Sequence, residues 1–86
     1  MPNSPNAADT LAWAYYQKGV YGFARDLLED AVKINPSSAT FQYHLGMVYS
    51  KLREKDKATL HLKKAISLAP DLPTGKQAQA ALQGMG

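Results

Sequence analysis

His44 and His61 are the two imidazoles of the chain, and imidazole is the side chain best suited to ligate a metal or to move a proton near neutral pH. Neither has a carboxylate or a cysteine at ligand spacing, so each reads as a surface or half-buried imidazole. Asp26, Glu29 and Asp30 bring carboxylates together, and such a pair can do acid–base work. On a helix they read instead as a solvated face. Ser37-Ser38 has no histidine nearby in sequence to activate a hydroxyl and reads as a helix cap. Gly19 and Gly22 flank a turn without the Lys-Ser/Thr ending of a phosphate-binding loop. The chain contains no cysteine, which removes a disulfide scaffold, a thiolate metal site and a catalytic thiol. The expectation is no enzyme, no metal and no cofactor.

Charge offers a second kind of chemistry. The net charge is +3 and it is unevenly placed. Residues 1–43 hold three basic and four acidic side chains, whereas residues 44–86 hold seven basic and three acidic. The run Lys51, Arg53, Lys55, Lys57 is interleaved with Glu54 and Asp56, which cut its field. No aromatic platform for stacking bases accompanies it. It reads as a solvated interhelical turn, and nucleic acid is not an expected partner. No apolar run approaches the roughly 20 residues that span a bilayer. Met1 to Asn6 lack the basic and apolar regions of a signal peptide.

The elements that would position any site follow from periodicity. Pro2, Pro36 and Pro70 stand 34 residues apart. Leu11/Leu45, Tyr15/Tyr49, Ala24/Ala58, Leu28/Leu62 and Ala31/Ala65 repeat in the same step. A fixed period of this length marks stacked helical repeats. Apolar residues recur at helical spacing in five segments, near 6–18, 21–34, 38–51, 55–68 and 73–83, with no period-two stretch that would make a strand. Ser4 caps the first helix with Pro5 at its first position, and Gly19 stops it. The turn near Arg53 has no glycine at the matching place. Ala12/Gly46, Ala24/Ala58 and Ala31/Ala65 recur where helices must approach closely. The whole chain reads as one all-α domain, since 86 residues allow a single thin core.

These residues resemble the tetratricopeptide repeat, whose pattern is W-x2-L-G-x2-Y, then A-x3-F, then P. One unit supplies Gln42, Leu45, Gly46, Tyr49, Ala58, Leu62 and Pro70. The other supplies Ala8, Leu11, Ala12, Tyr15, Ala24, Leu28 and Pro36. The Trp and Phe rungs are absent from both. The resemblance implies an α-solenoid of two helix pairs (residues 5–38 and 39–72) with a C-terminal capping helix at 73–84. Pro2 falls in phase as the closing proline of a preceding unit, so the chain reads as the C-terminal end of a longer array with Met1 added. The opening residues and the Ala/Gln-rich last helix are similar to the tails of long bacterial repeat proteins, including those associated with exopolysaccharide export.

Function is implied by the same resemblance. In that family the first helix of each pair lines a concave groove that binds a peptide or a partner protein. The matching residues are Asn6, Asp9, Trp13, Tyr16 and Gln17 on the first helix. On the third they are Thr40, Tyr43, His44, Met47, Ser50 and Lys51, and the last helix adds Lys76 and Gln77. Trp13 and Tyr16 are the expected aromatic anchors. Asp9 stands where it would repel a carboxylate, so an apolar peptide with a neutral or basic flank is expected. Two alternatives are a purely structural cap of a longer superhelix, and a weak anionic-polymer binder using Lys51, Lys55, Lys57 and Lys63. Weak self-association through the first helix is a further expectation, because that helix lacks an upstream neighbour.

Overall fold

The computed structural model describes residues 4–85, so the expected roles of Met1, Pro2 and Asn3 lie outside the described residues. Five helices follow in order: α1 (Pro5–Gln17), α2 (Tyr21–Ile34), α3 (Ala39–Lys51), α4 (Lys55–Leu68) and α5 (Pro73–Gly84). Every helix end falls within one residue of the span read from the periodicity. Among the described residues there is no strand, and no helix is long and apolar enough to cross a membrane.

Local chemistry sets the helix ends. The Ser4 hydroxyl accepts from the Ala7 N–H at 3.3 Å, and Ser38 accepts from the Phe41 N–H at 3.2 Å. Each satisfies one of the orphan donors at a helix start. Pro5 and Pro73 open α1 and α5, where a missing N–H is harmless. The helices α1 and α3 end in the same motif. Gly19 N–H bonds Tyr16 C=O at 3.0 Å and Val20 N–H bonds Tyr15 C=O at 2.9 Å. One period later, Arg53 N–H bonds Ser50 C=O at 3.1 Å and Glu54 N–H bonds Tyr49 C=O at 3.0 Å. This pair of bonds is the Schellman arrangement, which needs a left-handed residue. Gly19 takes it at φ 85° and Arg53 takes it at φ 63°.

Packing then follows the small residues. Ala12, Ala24, Ala31, Ala58 and Ala65 are all fully buried. At Gly46 α3 comes close to α4, since a Cβ there would lie 2.8 Å from the Leu62 side chain. Leu28, Leu45 and Leu62 fill the space between these contacts. The chain folds as α1 against α2, α2 against α3, α3 against α4, and α5 against both α4 and α3. Two joined cores result. One holds Ala12, Ala24, Leu28, Leu45, Val48, Tyr49 and Ala58. The other holds Leu62, Ala65 and Ala78 beneath α5. The stack measures 36 × 24 × 18 Å.

One buried polar side chain interrupts the apolar ladder. Gln42 stands on the rung where the repeat pattern has a Trp, and it is almost wholly buried. Its amide donates to the Pro36 carbonyl at 2.9 Å, and its Oε1 pairs with His61 Nδ1 at 2.7 Å. An amide oxygen can only accept, so His61 carries a hydrogen on Nδ1. Burial, aided by Lys64 and Lys57, lowers the His61 pKa, because a desolvated imidazole resists a second proton.

Candidate functional site

The helices α1, α3 and α5 lie side by side on one flank of the stack. Helical spacing puts Asn6, Asp9, Trp13, Tyr16 and Gln17 along α1, and Thr40, Tyr43, His44, Met47, Ser50 and Lys51 along α3.

The structure joins five of these eleven residues into one cluster. His44 Nδ1 lies 2.6 Å from Asp9 Oδ1, bridging α3 to α1. Both side chains are about 15% exposed or less, with His44 at 15% and Asp9 at 13%. An ionised carboxylate only accepts, so Nδ1 donates. The Trp13 indole stacks on His44 with centroids 3.9 Å apart and on Tyr16 with centroids 4.3 Å apart. Two rings that close and that nearly parallel would overlap if they shared one face of the indole. They therefore cover opposite faces. Tyr43 leans on Trp13 at 6.3 Å and on His44 at 5.6 Å, while Tyr16 meets Tyr21 of α2 at 5.6 Å. Burial raises the Tyr16 pKa, and the neighbouring Tyr21 and Tyr43 add to it, so its hydroxyl stays protonated through the neutral range.

The remaining residues stay apart. Asn6, Gln17, Thr40 and Lys51 are exposed, and Ser50 is half-buried. Met47 packs into the second core with Ala81 and Leu82 of α5, and so closes the seam between α3 and α5. Lys76 and Gln77 are exposed on α5.

Two expectations are corrected by this geometry. Asp9 is not a free acid on the face, because His44 holds its carboxylate. The absence of a carboxylate at ligand spacing along the helix concealed this partner, 35 residues away. The acidic stretch of α2 is not solvated throughout either: the Tyr49 hydroxyl donates to the Glu29 carboxylate across α2 and α3. Neither Gln42 nor Glu29 stood out as a structural residue. A polar side chain on a large apolar rung is itself a signal, since a buried amide must find partners.

Helix pairs that stack at a fixed period, sharing a continuous core, define a helical-repeat protein of the α-solenoid class. Residues 39–72 match the family model for the tetratricopeptide repeat, so this segment carries one such repeat. No curated protein matches the chain at a significant level. Repeats of this family serve generally as non-catalytic modules that bind proteins or peptides.

Proposed function

We infer that the chain is a protein-interaction scaffold and that the shared face of α1, α3 and α5 receives a peptide or a segment of a partner protein. The observation supporting this is the Asp9–Trp13–Tyr16–Tyr43–His44 cluster. It is pre-packed and cross-bonded, so the exposed side chains around it stand on a stiff base. A stiff site loses little freedom on binding.

The charge balance of the face selects the ligand. With Asp9 held by His44, the free charges along these three helices are cationic: Lys51 and Lys76, both exposed. Such a face favours a peptide that is neutral or carries a carboxylate near Lys51. Tyr43, tilted against Trp13, and Tyr16, stacked on it, supply apolar contact. Trp13 contributes from beneath, because both faces of its ring are covered.

The test is selection of peptides from a display library on the immobilised protein, followed by titration. Acid-bearing peptides are expected. Lys51→Glu should weaken them by about fivefold or more, and Lys57→Ala should leave affinity unchanged, since a rim charge away from the site contributes little. Peptides that bind Lys51→Glu as well as the parent would place the site elsewhere.

A further inference from the structure

The polar atoms of the aromatic cluster differ in kind. Among the described residues no side-chain nitrogen or oxygen is at once buried and unbonded. His44 Nε2, Trp13 Nε1 and the hydroxyls of Tyr16 and Tyr43 make no hydrogen bond among the described residues, and His44 bonds only through Nδ1. All four atoms therefore reach solvent. The indole N–H donates, and each phenol hydroxyl has a hydrogen to donate. Exposed Lys51 and Lys76 add further donors. His44 Nε2 stands apart from these. The ring hydrogen sits on Nδ1 and goes to Asp9 at 2.6 Å, so in the neutral imidazole Nε2 holds a lone pair and can only accept. The bond made by one ring nitrogen decides which nitrogen carries the hydrogen. Asp9 thus keeps Nε2 an acceptor. The indole stacked on His44 at 3.9 Å holds the ring in place, and the His44 side chain is only 15% exposed.

We propose that His44 Nε2 is the specificity-determining acceptor of the shared face, taking a hydrogen bond from a backbone N–H of an extended bound peptide, with Asp9 as the positioning residue that keeps it an acceptor. This rests on the reading that the face receives a peptide. A ligand without that hydrogen leaves a half-buried acceptor desolvated and unpaired, which costs more than a well-made bond contributes. Proline has no backbone N–H, so the face excludes proline at one position of its ligand. Lys51 fixes which position. It follows His44 by seven residues on α3, which puts it on the same side of the helix and about 10 Å along the axis. An extended chain covers that distance in about three residues. The proline-excluding position therefore lies about three residues from the acidic side chain that meets Lys51.

The probe is a random peptide display library, selected on the full chain and on His44→Asn at about pH 8, above the ordinary range of histidine titration. Asparagine keeps a donor for Asp9 but has no atom at Nε2. Peptides selected on the parent should be depleted in proline by about tenfold at that one position, and those selected on His44→Asn should carry proline there at library frequency. N-methylation of a synthetic selected peptide at the same position should weaken binding to the parent by about tenfold and to His44→Asn by less than about twofold. Ring 15N NMR of the full chain, with no peptide present, should find the His44 hydrogen on Nδ1. In Asp9→Ala it should move to Nε2, with peptide affinity falling by about fivefold or more. Should His44→Asn fold poorly, the N-methylated peptide and the ring spectrum on the parent still decide. Peptides that Lys51→Glu weakens but that tolerate proline at every position would overturn this proposal and leave the peptide-binding reading intact. A hydrogen on Nε2 in the parent would overturn it too. A library that yields no binder would overturn both.

Discussion

At the scale of single residues, positions one period apart carry the same geometric duty with different side chains. Gly19 and Arg53 both adopt a left-handed backbone, yet only Gly19 advertises it. The turn near Arg53 was legible in the sequence but its left-handed backbone was not, because that conformation is imposed by the two bonds that close α3 and not by local preference. A non-glycine residue in this region carries strain on the order of 1 kcal/mol. Arg53→Gly is therefore expected to raise stability by about 0.5–1 kcal/mol, less the added freedom of the unfolded chain, and chemical denaturation measures it. The pairing of Gln42 with His61 was not legible for a related reason: only the packing of α3 on α4 joins them. Their chemistry has a pH signature. Because the folded pKa of His61 is lowered, the unfolded chain binds more protons as pH falls below the ordinary histidine value of about 6.5. The contribution to stability is complete above that value and is lost as pH falls through the lower folded pKa. A proton NMR titration of the His61 ring should give a midpoint below about 6.5, accompanied by a falling melting temperature over the same interval. A midpoint at or above the ordinary value would contradict the burial argument.

At the scale of elements, the helices were legible because apolar side chains recur at helical spacing and prolines and serines punctuate them. The seating of the last helix was less legible. Gly75 lies in the first turn of α5. In the fold α5 passes close to the end of α4 here: a Cβ at Gly75 would clash with the Ala69 carbonyl oxygen, at 1.7 Å. No side-chain adjustment relieves a clash with backbone. Gly75→Ala should force α5 away from α4 and uncover Leu62, Ala65 and Ala78, which are fully buried. The expected cost is about 2–3 kcal/mol, in the range of overpacked cores, with increased binding of a hydrophobic dye. Gly22 supplies the control. A Cβ there meets nothing nearer than the Arg25 guanidinium at 4.0 Å, so Gly22→Ala should be neutral or stabilising by about 0.5–1 kcal/mol, the helix-propensity gain. Equal melting temperatures for the two alanine variants would mean that α5 is not docked as described.

At the scale of the whole molecule, stability is divided among neighbours, because stacked helix pairs touch only the pairs beside them. The first pair meets the rest through α2 on α3 and through a small contact of α1 with α3. The second of these is the Asp9–His44 bond and the indole stacked between His44 and Tyr16. The sequence showed these residues as a row of groove side chains. Their mutual engagement depends on the angle between successive pairs, which no local pattern encodes. Trp13→Ala should therefore act on cohesion as well as on any ligand. Removing the indole takes the stacked partner from His44 and Tyr16 and opens the seam to water, at a cost of about 1–3 kcal/mol for a half-buried Trp, below the range for fully buried ones. In a stack this loss is local. Native-state hydrogen exchange should show amide protection in α1 and α2 falling by about tenfold for each 1.4 kcal/mol, while α4 and α5, which never touch Trp13, keep theirs within about twofold. A uniform fall across all five helices would mean that the molecule opens as one unit and that the cluster is not the joint between its pairs.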